Sequence, residues 1–452
     1  MYPVDDTPQD MNSQPLTNKP GQEPGLHSFT DSHFGDSVQN LSEFTDLTDV
    51  SNQVGFFPTV MNLLNSLVGS ELLSISNSMN FTGLCCSVCL MTLTATLSYI
   101  ATFMTVRLQF RTHAESLNDM AKKLLGKWGS GALSVLTLLF TYSCCVAYLI
   151  IGGDNINSWM RLLKLDEWTK GWRRSVVMLI YALAIPVAMT IPRKITFLSY
   201  MSTFSIFCLA FFVGVIVVLG SQKLVSEGIN ASVYAFHLNI KFFNALAIYA
   251  LMFALPAIIL PVIKNANPRI SVRYRIIGTA FFSCYLFVLI PGVIGYLMFG
   301  ADTKDIILNN FENDNILIQV VRCSFFIVVT ASYPVISLSV AADLSANIFK
   351  VFDPAALTTK RRAIILICTN IPPVLIAMVC PSISPVLAIG GALGGCMTNF
   401  FFPALMWLFN SSHKWTYPAN IFCICLATFG LVSACIATYQ AFADAFGFGG
   451  SE

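Results

Sequence analysis

A chain of 452 residues that is 55% hydrophobic and only 11% charged is not an ordinary soluble protein, because soluble domains carry roughly 25% charged residues. A mean hydropathy of +0.68 and continuous rather than alternating apolar runs point to a polytopic α-helical membrane protein and away from a β-barrel. The balance of 26 basic and 24 acidic residues gives no sign of a nucleic-acid partner; the expected surroundings are a lipid bilayer.

Residues 1–56 are a different material. Nine acids face one base, Lys19, among Ser, Asn, Gln, Pro and Thr. Such a segment buries too little apolar surface to fold, and a disordered acidic tail is expected. No charged region leads into an early apolar run, so a cleavable signal is not expected and the first span should anchor the chain. From Phe57 the apolar segments follow at about 57–79, 84–106, 131–152, 174–192, 196–219, 242–263, 276–299, 318–342, 363–380, 384–409 and 417–443. That is eleven, making a membrane domain over 57–445 and a short tail at 446–452. With the N-terminus in the cytosol, seventeen Lys and Arg fall on the inner side and eight on the outer. The excess predicts N-terminus in and C-terminus out, with the basic stretch 161–174 as the one offender.

The outer loop after the fifth span holds Asn230-Ala-Ser232, an acceptor pattern for an N-glycan. Asn80-Phe-Thr82 has the same pattern but abuts the membrane. The fourteen cysteines lie in or at the end of apolar runs. No Cys/His pair has a zinc-like spacing, so packing is the expected role.

The first span is unusual. It carries Asn62, Asn65, Ser66, Gly69, Ser70, Glu71, Ser74, Ser76 and Asn77 within an apolar run. A carboxylate at mid-bilayer costs about 2.5–3.5 kcal/mol on insertion scales. Glu71 therefore needs a partner, a proton or a water-filled cavity. Gly69 and Ser70 weaken helix at that point. A break there frees backbone N–H and C=O groups, which must line a cavity rather than face lipid. The alternative is that Gly69 and Ser70 are small residues at a helix crossing.

The sixth span carries a matching irregularity. Met252-Phe253-Ala254-Leu255-Pro256 places a proline in mid-membrane, with Pro261 behind it. Interruptions in corresponding positions of two halves point to an inverted-repeat transporter. The eighth span contains Thr330-Ala331-Ser332-Tyr333-Pro334. Its hydroxyls suit Na+ or, alternatively, bond their own helix backbone. The tenth span has glycines at 390, 391, 394 and 395, which permit close helix packing.

These segments resemble the amino acid/auxin permease family, and within it the sodium-coupled neutral and the vacuolar amino-acid transporters. Asn62 through Ser70 with Leu72-Leu73 is similar to the family's first helix, and Phe253–Pro261 to its broken sixth. Thr330–Pro334 resembles the eighth-helix motif, and Ile389–Ala392 with Phe402-Pro403-Ala404 the tenth. The loop Phe299-Gly300 before Ile307–Phe311 is similar too. The resemblance spans about 57–445. It implies an all-α membrane protein with eleven transmembrane helices, a LeuT-type 5+5 inverted repeat plus one helix, and transport of amino acids by alternating access. By resemblance, Ser66, Gly69 and Ser70 would hold the substrate, and Glu71 together with Met252, Phe253 and Ala254 at the sixth-span break is expected to bind it as well. Asn65, Thr330 and Ser332 would line a cation site.

Glu71 departs from the family pattern, which has glycine there. It fits a substrate amine, a coupling proton or a cationic substrate. No cofactor is expected beyond a coupling ion, Na+ or H+, and neither a metal motif nor a nucleophile–base pair suggests an enzyme. The rival reading is an amino-acid sensor signalling through the acidic tail. The membrane is left open between plasma and vacuolar or lysosomal.

Overall fold

The computed structural model describes residues 55–192, 198–237, 239–264, 266–267, 269–312, 314–351, 354–380 and 382–446. The expected tails at 1–56 and 446–452 lie outside these residues, apart from Gly55, Phe56 and Phe446. Among the described residues the chain is all-helical, and nine helices are long and apolar enough to cross a bilayer.

The first apolar segment is not one helix. It is α1 (Phe56–Leu67), a 3-10 turn (Ser70–Leu73) and α2 (Ile75–Asn80). Two long helices follow, α3 (Leu84–Thr112) and α4 (Leu117–Leu162). At 46 residues α4 is longer than any bilayer requires, since about 20 residues span the hydrocarbon core. Gly126, at φ 76° and ψ −167°, divides it. A left-handed φ of this kind favours glycine, which is the residue that stands there. The piece before the turn is capped by Ser116, whose hydroxyl accepts the Asp119 backbone N–H at 3.1 Å. The expected span 131–152 lies wholly within the longer piece.

Helix α5 (Gly171–Ala182) loosens into a π-turn (Leu183–Val187) and a 3-10 turn (Ala188–Thr190). Pro186 causes this, because it cannot donate to the preceding turn. Then come α6 (Leu198–Glu227), α7 (Phe242–Met252), the short α8 (Ile259–Ile263), α9 (Ile270–Phe299), α10 (Ile316–Phe349) and α11 (Thr359–Val379). The tenth apolar segment is α12 (Ser384–Gly390), an eleven-residue π-helix (Gly391–Phe401) and α13 (Phe402–Asn410). Helix α14 (Pro418–Phe446) ends the described chain.

Packing puts α4 against α10, α6 against α9 and α10, and α14 against the π-helix. The π-helix meets α7 without side chains between them. A Cβ on Gly391 would lie 1.9 Å from the Ala247 carbonyl oxygen, and one on Gly395 2.7 Å from the Ala250 carbonyl carbon. No larger residue fits while the two backbones stay in place. Large apolar side chains such as Phe207, Phe282, Ile364 and Val379 stand exposed on the outside of the bundle. A bilayer solvates them where water would not. All fourteen cysteines are free.

Candidate functional site

Two apolar segments are broken, the first at 68–74 and the sixth at 253–258. Helix α2 and the 3-10 turn pack on α7, while α1 packs on α8. The piece after the first break thus meets the piece before the second. The two segments run antiparallel with their breaks side by side.

At the first break Val68 still donates to Leu64 at 2.9 Å, but its own backbone is extended, with φ −91° and ψ 109°. Gly69 follows at φ −125° and ψ −145°, and the 3-10 turn restarts the helix. Glu71 folds back over Gly69. Its Oε2 lies 2.6 Å from where a Cβ on Gly69 would stand, and the Tyr148 hydroxyl lies 3.4 Å from that point. Oε2 itself is buried and has no hydrogen-bond partner, and neither does the Ser70 hydroxyl.

Beside this break lies a small cleft lined by Asn65, Val68, Gly69, Ser70, Tyr148, Ser205, Leu209, Phe325, Val328, Val329 and Ser332. Its volume of about 20 Å³ holds a water-sized occupant and no amino acid. Oxygen-bearing residues line the cleft from α1, the first break, α4, α6 and α10, and oxygen is a hard ligand suited to a small cation or an ammonium group.

The sixth-span break is stitched from outside. In an unbroken helix the Ala254 N–H would reach Ala250; here it donates to Leu251 at 3.1 Å. The Ala250 carbonyl is left over, and Asn399 of the π-helix donates to it at 2.7 Å. Asn399 also donates to the Ser98 hydroxyl at 3.2 Å and is fully buried.

Two further polar groups tie neighbouring helices to the loop between α9 and α10. Asp305 accepts from Asn77 of α2 at 2.7 Å, from Ser384 of α12 at 3.0 Å, and from Ser382. Arg322 of α10, 1% exposed, donates to the Leu308 carbonyl and to Asn309, each at 2.8 Å, and pairs with Asp154 of α4 at 3.7 Å.

The structure brings together only some of the residues singled out from the sequence. Asn65, Gly69, Ser70 and Ser332 meet at the cleft, with Glu71 over Gly69. Thr330 does not join Ser332. Two residues apart on an α-helix means about 200° of rotation, and Thr330 instead shares a 2.9 Å hydrogen bond with Tyr181 of α5. Ser66 is exposed, and its hydroxyl donates to the Asn62 carbonyl one turn back. Met252, Phe253 and Ala254 are buried at the second break without lining the cleft, and Phe253 stacks on Phe281. Tyr148 and Ser205 were not legible in the sequence as site residues. Each is one of several polar side chains scattered along its helix, and only the packing singles it out by bringing it to the cleft.

Residues 52–443 match the model of the transmembrane amino acid transporter protein family. Amino acid transporter AVT6E of Arabidopsis thaliana is 26% identical over 390 residues, covering 79% of this chain and 76% of the relative. Sodium-coupled neutral amino acid transporter 7 of Danio rerio is 24% identical over 389 residues, covering 82% and 81%. Vacuolar amino acid transporter 5 of Schizosaccharomyces pombe is 22% identical over 379 residues, covering 81% and 87%. Among solved structures, inward-facing Mhp1 superposes at a TM-score of 0.54 and 13% identity, over 89% of this chain and 95% of its own. Mhp1 closed on bromovinylhydantoin gives 0.55 at the same identity. At that identity the likeness concerns the fold alone. The relatives are transporters and not enzymes, and with nine bilayer-length helices here and a family match from end to end of the helical region, the chain belongs to the transmembrane amino acid transporter family.

Proposed function

We propose that this protein is a secondary active transporter that moves amino acids by alternating access, driven by a Na+ or H+ gradient. The observation that carries the reading is the pair of interrupted segments lying antiparallel, breaks side by side, next to an oxygen-lined cleft. Unwound backbone at membrane depth is tolerated where it lines a site. Adding the two interrupted segments to the nine long helices gives eleven spans over 57–445. The first and sixth segments are five apart, as a LeuT-type 5+5 repeat with one extra helix requires. The excess of basic residues in alternate loops supports a cytosolic N-terminus and the 1–56 tail on that side.

In this reading Gly69 and Ser70 receive the polar end of the substrate next to Glu71, and Met252, Phe253 and Ala254 form the hinge of the facing span. Asn65, Ser332 and Ser205 supply oxygens to a cation. The small cleft represents a closed state, and opening to either side requires the broken pieces to move against α4 and α10.

The test is uptake of radiolabelled amino acids into proteoliposomes of the purified protein, with Na+ and pH gradients imposed separately. Uptake driven by inward Na+ supports a sodium site at Asn65 and Ser332 and suits a plasma-membrane importer. Uptake driven by protons alone turns attention to Glu71 and suits a vacuolar or lysosomal carrier. Binding without uptake under either gradient would overturn transport in favour of a sensor.

A further inference from the structure

Among the described residues Glu71 has no ion-pair partner. Its side chain is only 6% exposed, and Oε2 has no hydrogen-bond partner. The ionisable groups in electrostatic range are Cys144 and Tyr148 on α4 and Cys284 on α9, none of which carries positive charge. A buried carboxylate removed from water without an opposite charge is unfavourable, and a cation facing it offsets part of that cost. The carboxyl also occupies a specific place. It fills the hollow over Gly69, which any side chain at 69 would close. That hollow adjoins Gly69 and Ser70 of the cleft, whose wall also presents the apolar side chains of Val68, Leu209, Phe325, Val328 and Val329 beside the polar Asn65, Tyr148, Ser205 and Ser332.

We propose, resting on the transport reading above, that Glu71 stands in for the carboxylate an amino acid would bring, so that the site accepts organic amines lacking a carboxylate. The ammonium group pairs with Glu71, and the hydrocarbon lies along these apolar side chains. An amino acid binds by displacing the Glu71 carboxyl from the hollow with its own. A neutral ligand without an amine has nothing to offer Glu71 and is excluded.

The experiment uses the full chain in proteoliposomes. Uptake of labelled leucine, phenylalanine and lysine is competed with their decarboxylated counterparts, isoamylamine, phenethylamine and cadaverine. In the wild type at least one amine should compete within about tenfold of its parent amino acid. In Glu71→Gly the affinity for that amine should fall about tenfold or more, as for loss of one partner of a buried ion pair, and the KM for the amino acid should fall because nothing need be displaced. Glu71→Gln preserves side-chain volume and should weaken amine competition in the same direction, so a poorly folded glycine variant does not protect the proposal. Amino-acid uptake that no amine inhibits overturns the proposal and leaves the transport reading standing. Equal amine competition in wild type and both variants also overturns it. Absence of both uptake and binding for every amino acid and amine overturns the two together.

Discussion

The Asn399 side chain donates to the Ala250 carbonyl at 2.7 Å, supplying the hydrogen bond that the break in the sixth segment takes away. It does so from a π-helix, whose wider turn brings Gly391 and Gly395 against the α7 backbone. π-turns are costly and are often kept at functional positions. Asn399→Leu leaves a buried carbonyl unpaired, a loss of about 1–3 kcal/mol. The variant should unfold at lower temperature in detergent and transport with reduced Vmax. An unchanged melting temperature together with wild-type uptake would show that the bond holds nothing in place.

Asp305 gathers donors from α2 and α12, two elements otherwise separated by more than 300 residues of sequence. In the orientation proposed above this junction would lie on the outer side, where it would close the path from outside. Asp305→Ala should loosen that closure. A cysteine placed at Ser74, which is fully buried, should react faster with a membrane-impermeant maleimide when Asp305→Ala is also present. Equal reaction rates with and without Asp305→Ala would mean that the junction does not gate access.

Ser332 and Thr330 differ in position and should differ in effect. Ser332→Ala removes an oxygen from the cleft and should raise the concentration of driving cation needed for half-maximal uptake by about tenfold, the scale of one charge-assisted contact. Thr330→Val breaks the bond to Tyr181 and should lower stability while leaving the cation dependence alone. If Thr330→Val shifts the cation dependence and Ser332→Ala does not, the cation site has been drawn on the wrong face of α10.

Asn230 and Ser232 already touch: the Asn230 side-chain oxygen accepts from the Ser232 hydroxyl at 2.7 Å and its backbone N–H at 2.9 Å. An N-glycan here would fix this loop on the outer or lumenal side. Endoglycosidase treatment of protein made in a glycosylating cell should increase gel mobility, and Asn230→Gln should abolish the shift. A shift that survives Asn230→Gln assigns the sugar elsewhere. Absence of any shift removes this support for the orientation.

The parts that the sequence made legible are those whose cause is local. Gly69, Ser70 and Glu71 interrupt an apolar run, and Pro256 denies its segment a donor, so both breaks could be placed before any packing was known. The resemblance to the transporter family rested on the same stretches. Helix periodicity already separates Thr330 from Ser332, and grouping them followed a motif rather than geometry. Tyr148, Ser205 and Asn399 were hidden because their roles depend on partners 79 to 149 residues away. The division of α4 at Gly126 was hidden for another reason: glycine in a helical run reads as packing unless the backbone angle is known.

The central claim is that one site is exposed alternately to the two sides, and counterflow tests it most directly. Proteoliposomes are loaded with a high concentration of an unlabelled amino acid, and a trace of the labelled compound is added outside without any ion gradient. A carrier whose loaded site returns faster than its empty one should accumulate label transiently above the external concentration and then release it. Label that rises smoothly to equilibrium without overshoot, at a rate unaffected by the internal amino acid, would contradict alternating access through the cleft at Gly69.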